Sequence, residues 1–404
     1  MSYRQLLQIP DVRLLLSSAC LSRLAGRMLM LAIVLYVLER FHSSELAGWT
    51  TFATIAPGLV VSPLAGAWLD RVGPARGIVV DMAVSALLIL ALATAGLADA
   101  LDVPLLLIIV TLFSLTTPLS SAGIRALLPR LVPGDSLDRA NALDTTSYAL
   151  IDIAGPAIAG LLFGLAGPNA SMFTIAALYA LAGLCLVPLA VRPSPHAPRA
   201  RDRRPPGARQ VLHEAVAGVG YVLRNRSLRG LALSYALYQL CLGILFVAVP
   251  TIVVQGLGAE GYVVGGLWAL TGLAGAVGAL SVGHMRTTGR ERALICAGLL
   301  ATSVATFPIA ALFGLPGLVI GLALVGFFSG PVDVGVLSLR QRRTEPGWLG
   351  RVLAVSMSLN MSGLPVGAAL GGIVVSLSVP ATFAVAGAAA MLAAFSAWVL
   401  IPPR

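Results

Sequence analysis

Residues 66–77 read GAWLDRVGPARG, three glycines, a proline, two arginines and one aspartate set between two long apolar runs. Residues 46–69 lead into this knot and 76–97 leave it, each long enough to cross a bilayer core as a helix of about 20 residues. The stretch therefore reads as a tight polar turn joining two membrane-crossing helices. Gly73 and Pro74 supply the reversal, Gly66 permits close helix approach, and Asp70 can face the positive N-terminal end of a neighbouring helix. A contact of about 0.3 to 2 kcal/mol biases two conformations and still breaks when they exchange. The plainer alternative is a generic polar turn.

The rest of the chain has the same character. Of its 404 residues, 58% are hydrophobic and 11% charged, against roughly 25% charged in a soluble domain. Apolar runs predict twelve spans: 14–38, 46–69, 76–97, 104–128, 141–165, 170–191, 229–255, 261–283, 293–313, 316–338, 352–378 and 380–401. Barrel-type strands of alternating polarity are missing, so the expected fold class is an all-α membrane protein. The opening residues lack the short apolar core and small-residue cleavage site of a removable leader, and the first run is predicted to be a retained span.

A formal charge of +10 invites a nucleic-acid reading, which the distribution of the charge opposes. All 27 basic residues are arginine. With both termini cytoplasmic, all but Arg23, Arg27 and Arg40 fall at cytoplasmic segments, which predicts a multi-pass protein of the inner membrane in that orientation. Without lysine there is no GxxxxGK[ST] phosphate loop and no Schiff base. No cofactor or metal is expected: HEAVA lacks the second histidine of HExxH, and Cys20, Cys185, Cys241 and Cys296 sit singly in apolar runs. GxSxG and acid–histidine clusters are missing too, so no enzyme is expected.

The spans fall into two sets. Residues 1–191 are predicted as one six-helix bundle and 229–404 as a second, joined by a cytoplasmic segment, 192–228. That segment opens with RPSPHAPRARDRRPPGA, which cannot build a core, and continues with Val211, Leu212, Ala215, Val216, Val219 and Leu223 at helical spacing, an amphipathic helix for the membrane surface. The halves repeat one another: Arg13, Leu15, Ser18, Leu21 and Leu24 superpose on Arg229, Leu231, Ser234, Leu237 and Leu240, and Pro156 on Pro365. Repeated halves around a shared midplane site are a secondary-transporter plan.

The knot itself resembles the loop signature of the major facilitator superfamily. Gly66, Asp70, Arg71 and Gly73 match it, Pro74 stands where a basic residue is usual, and Arg76 is positioned to substitute. The resemblance implies twelve helices in two pseudo-symmetric bundles, with Asp70 latching onto the span that starts near Arg351. In the second half Gly289 takes the place of Gly73, but Arg286 replaces the aspartate, so a latch of reversed sign is expected between Arg286 or Arg290 and Asp138 or Asp144. Gly155, Pro156 and Gly160 resemble the family's exporter-associated Gly-Pro motif; close helix packing is the competing reading. RALLPRLVPGDSLDRANAL and LGRVLAV extend the likeness to the bacterial branch of macrolide-efflux and enterobactin exporters.

A charge at the bilayer centre costs at least about 2.5 to 3.5 kcal/mol, so each needs a partner or a purpose. Arg23 and Arg27 share one face of the first span, and at about 1.5 Å per residue Arg27 and Asp152 reach similar depths. Three readings stay open: a static ion pair, a proton-coupling carboxylate at Asp152, or arginines receiving an anionic or zwitterionic substrate. Asp81 and Asp333 lie nearer the cytoplasmic ends and read as structural or gating. The resemblance places Tyr148, Tyr235, Tyr238, Gln239, Trp268 and Asn360 on cavity-flanking spans.

The expected activity is secondary active export of amphipathic small molecules, drugs or metabolites, by proton antiport and alternating access, from a monomer in the lipid bilayer. The alternatives are an exporter or flippase for one endogenous amphiphile such as a siderophore or lysolipid, and a non-transporting sensor on the same fold.

Overall fold

The computed structural model describes residues 3–191, 217, 219–283, 289–309, 313–344, 356 and 358–402. Among the described residues the chain is helical, without strands: α1 (Tyr3–Gln8), α2 (Pro10–Phe41), α3 (Ser44–Val72), α4 (Pro74–Leu97), α5 (Val103–Leu131), α6 (Leu137–Val191), α7 (Arg226–Thr251), α8 (Gly261–Gly283), α9 (Glu291–Ile309), α10 (Gly314–Arg343), α11 (Gly363–Leu377) and α12 (Val379–Leu400). Nine of these, α2, α4 to α8 and α10 to α12, are long and apolar enough to cross a membrane. α3 and α9 occupy the places predicted at 46–69 and 293–313.

Local chemistry sets the breaks. The Asp102 carboxylate accepts from Leu105 N–H at 2.9 Å to start α5; Asn225 accepts from Ser227 and Leu228 N–H at 3.0 and 3.2 Å to start α7; the Ser378 hydroxyl accepts from Ala381 N–H at 3.3 Å to start α12. Gly73 has φ 94°, and Pro74 follows at the first position of α4, the reversal expected of the knot. α6 runs for 55 residues, about 80 Å as a straight helix, far more than one bilayer core of about 30 Å. It breaks at Gly167, whose φ of 83° no other residue type adopts readily, and its two arms occupy predicted spans five and six.

The described residues of Met1–Ala32 and Ala53–His213 form one compact unit, and those of Ile33–Phe52 and Glu214–Arg404 a second. In the first unit α4 packs on α5 and α6, and the Ser18 hydroxyl of α2 donates to Ala182 O of α6 at 2.7 Å. In the second, α10 packs on α8 and α9, α12 on α9 and α7, and α7 on α11. The α7–α11 contact is a close one. A Cβ on Gly363, Gly367 or Gly371 would run into the carbonyl oxygens of Ala236, Leu240 and Ile244, so one small-residue face of α11 lies directly on the α7 backbone. The opposite end of that contact takes in the α2–α3 turn: the Ser44 hydroxyl donates to Gly372 O at 3.1 Å, and Gly48 stands against Ala368.

Most of the linker and surface helix predicted at 192–228 lies outside the described residues. Within it, 219–224 is helical, with Val222 buried and Leu223 half exposed.

Candidate functional site

In the first unit two arginines of α2 meet the first arm of α6. Arg23 Nη2 lies 2.8 Å from Asp144 Oδ1, while its Nη1 donates to the Ser147 hydroxyl at 2.9 Å and to Asp144 O at 3.3 Å. The same guanidinium covers the Tyr148 ring at 3.9 Å. One turn on, Arg27 Nε lies 2.6 Å from Asp152 Oδ1, the partner suggested by depth. The pairs differ in their surroundings. Arg23 and Asp144 side chains are 8% and 18% exposed, whereas those of Arg27 and Asp152 are both 46% exposed. Gly155 lets Arg27 through, because a Cβ there would press on the Cβ of Arg27. Pro156 follows inside the helix, and Gly160 is buried.

The reversed-sign latch expected between Arg286 or Arg290 and Asp138 or Asp144 falls partly outside the described residues, at Arg286; in this structure Arg23 of α2 pairs with Asp144. Arg290 and Asp138 are exposed at their helix ends. In the knot, an added Cβ on Gly66 would meet nothing within 4 Å among the described residues. Arg71 is exposed, and Arg76 Nε donates to Ala190 O at 3.1 Å, tying α4 to the end of α6. The Asp70 side chain, Arg286 and Arg351 lie outside the described residues. Asp81 is buried on α4, with the Ser85 hydroxyl donating to it at 3.4 Å and the hydroxyls of Thr116 and Ser120 facing it from α5.

The second unit holds a cluster that the sequence did not reveal. The Tyr235 hydroxyl of α7 donates to Asp333 Oδ1 of α10 at 2.7 Å, and the Tyr235 and Tyr238 rings meet edge to face with centroids 5.6 Å apart. Asp333 is exposed, Tyr235 half-buried and Tyr238 buried. Two turns along α10, Arg340 is 3% exposed. With the Asn360 amide oriented to satisfy its neighbours, its carbonyl oxygen accepts from Arg340 Nη2 and its nitrogen donates to Ser356 O at 3.0 Å; among the described residues Arg340 Nε has no hydrogen-bond partner. Arg342 is engaged separately, with Glu291 of α9.

Three of the residues placed on cavity-flanking spans are packed interior in this structure. Tyr238 belongs to the core where α7, α9, α10 and α12 meet; Gln239 is 6% exposed, with its amide 3.6 Å from Met361 Sδ; Asn360 is 4% exposed. α7 is surrounded by apolar neighbours, so most of its faces are buried and span membership alone does not single out the open one. Trp268 is half-buried against Phe246, centroids 5.2 Å apart. The signal for Asp333 was its isolation among apolar residues; its partner Tyr235 lies 98 positions away and becomes visible only in the folded chain.

Comparison with known proteins gives a consistent picture. The profile of the Major Facilitator Superfamily matches residues 15–363. An uncharacterized MFS-type transporter of Sinorhizobium fredii, y4rN, is 50% identical over 404 residues, covering 100% of this chain and 97% of its own. The multidrug efflux pump Tap of Mycobacterium tuberculosis is 29% identical over 352 residues, 83% of this chain and 80% of its own. The enterobactin exporter EntS of Escherichia coli is 28% identical over 260 residues, 63% of this chain and 59% of its own. Among solved structures the nucleoside transporter NupG superposes with a TM-score of 0.74 at 12% identity, covering 97% of this chain and 100% of that one. The peptide transporter POT superposes at 0.70 and 15% identity, covering 96% and 93%. These two share the fold.

Proposed function

Because the chain belongs to the major facilitator superfamily, and so is a multi-pass membrane transporter, we propose that it is a secondary active exporter of amphipathic small molecules, driven by proton entry. It works as a monomer by alternating access in the inner membrane, with both termini cytoplasmic. The relatives named as a multidrug efflux pump and an enterobactin exporter support export as the direction.

One observation carries the coupling: the Arg27–Asp152 pair sits inside membrane-length helices and yet is half exposed. A buried pair is locked by desolvation, whereas an exposed one is worth only about 0 to 1 kcal/mol and exchanges partners readily. A proton taken from the outer side converts the Asp152 carboxylate to the neutral acid and releases Arg27. Loss of that proton to the cytoplasm restores the carboxylate and the pair. Arg23, held by Asp144, Ser147 and Tyr148, keeps the α2–α6 contact in register meanwhile.

The test is transport of ethidium, an amphipathic cation, in proteoliposomes with and without a pH gradient. The wild type should respond to the gradient and Asp152→Asn should not. Equal, gradient-independent transport by both proteins would remove Asp152 from the coupling role. The second reading, export of one endogenous amphiphile with an anionic group, draws on Arg23 and Arg27 being stacked one turn apart; one tight ligand in place of a broad profile would favour it.

A further inference from the structure

We propose that Asp333 and Tyr235 form a binding site for a lipophilic organic cation, an ammonium or phosphonium centre carrying apolar groups. This deepens the reading of the chain as an exporter of amphiphiles and rests on it.

Asp333 lies ten residues from the end of α10, about 15 Å along the axis, within a helix apolar and long enough to cross a membrane. An ionised side chain there is costly and needs compensation. Arg23 and Arg27 supply it to Asp144 and Asp152. Asp333 has no such partner: among the described residues no arginine stands within ion-pair distance, and only the Tyr235 phenol donates to it. The charged groups nearest to hand are committed elsewhere. Arg340 follows two turns along the same face, about 10 Å away on the axis, buried and donating to Asn360. Arg342 is paired with Glu291. Tyr238 adds a buried ring from α7 and no charge.

The carboxylate is nevertheless exposed, with Tyr235 half exposed beside it. A negative charge accessible in an otherwise apolar region, fixed by a phenol and adjoining an aromatic ring, is what a bulky cation needs. The charge meets Asp333, and the ring face of Tyr235 receives the groups around it through cation–π attraction. A phenol that donates its proton to a carboxylate also has a more electron-rich ring. The site does not suit a divalent metal, since among the described residues no group of three His, Cys, Asp or Glu side chains comes together. Arg340 lies close enough for its charge to act on Tyr235, but it is buried and donates to Asn360, so among the described residues it offers an anion no exposed cation.

The experiment is equilibrium binding of tetraphenylphosphonium to the full-length protein in nanodiscs, with the neutral triphenylphosphine oxide as control. Asp333→Asn should weaken tetraphenylphosphonium binding at least about tenfold and leave the neutral compound unaffected. Tyr235→Phe, which keeps the ring and removes the hydroxyl that orients Asp333, should weaken it a few-fold. It also serves as the second variant should Asp333→Asn misfold. Cation binding within twofold of wild type in both variants overturns the proposal, as does an equal loss for the neutral compound. Binding needs no gradient and no turnover. A wild type that binds the cation but fails to move ethidium against a pH gradient would therefore count against the proposed function and leave this site standing.

Discussion

The two α2–α6 ion pairs share chemistry and sequence neighbourhood but differ in exposure, so the same substitution should act differently at each. In Asp144→Asn the Arg23 guanidinium stays 8% exposed and loses its counter-charge. Removing one partner of a buried pair costs about 3 to 5 kcal/mol. Part of that is retained here: Ser147 at 2.9 Å, the backbone carbonyl at 3.3 Å and the Tyr148 ring at 3.9 Å all still face Arg23, the last of these worth about 0.5 to 2 kcal/mol. A net loss of about 2 to 3 kcal/mol is expected. In Asp152→Asn both side chains were 46% exposed, so solvent already screened the pair and the loss should be about 0 to 1 kcal/mol. Unfolding in mixed micelles, titrated with a denaturing detergent, reads the difference. Transport of ethidium under a pH gradient reads the function. The stability loss should fall on Asp144→Asn and the loss of gradient response on Asp152→Asn. Equal destabilisation by the two, or the reverse order, would mean that exposure does not govern the strength of these pairs, and the exchangeable role given to Asp152 would lose its physical basis.

Gly367→Leu places a branched side chain where the Leu240 carbonyl already stands, so α7 and α11 must separate; loss of the folded fraction by size-exclusion chromatography is expected, and a wild-type profile would show the contact to be slack. Asn225→Ala removes the acceptor for two N–H groups at the start of α7 and should cost about 1 kcal/mol in the same unfolding titration. Gly66→Ala should leave stability unchanged or slightly raised, as its Cβ enters open space in a helix. A fall in ethidium transport in that variant without loss of stability would locate the close approach of Gly66 in a different conformation of the cycle.

How much was legible beforehand follows from which forces act locally. The reversal at Gly73 and Pro74 was readable because turn chemistry is short-range; the caps at Asp102, Asn225 and Ser378 are equally local, but the spans were placed by apolar runs alone and these caps were not singled out. Arg27 and Asp152 could be matched because rise per residue converts position into depth, and two isolated charges at one depth in an apolar solvent have few other partners. Depth was not used for Asp144, whose expected partner came from the pseudo-symmetry of the halves; its pairing with Arg23 becomes visible only once α2 packs on α6. Burial of Tyr238, Gln239 and Asn360 was invisible for a related reason. In a membrane helix the side facing neighbours and the side facing lipid are both apolar, so periodicity does not separate them. Gly66, expected to permit close helix approach, has open space beside its Cα in this structure.

The proposed coupling pair and the proposed cation site differ in their charge balance. In the first unit Asp144 and Asp152 of the α6 arm are each paired with an arginine of α2, so these two pairs are neutral as they stand; in the proposed cycle an added proton releases Arg27. A permanently charged cation gains little there, since Arg27 repels it and a cation that displaced Arg27 would leave that charge without a partner. In the second unit Asp333 is held only by a neutral phenol, so a bound cation meets a charge that nothing else in the described structure neutralises. The two substitutions should therefore part company. Asp152→Asn should abolish the gradient response and keep tetraphenylphosphonium affinity, whereas Asp333→Asn should lose the affinity and keep the gradient response for substrates that carry no cationic centre. A single variant that removed both would show one shared charge centre in place of two.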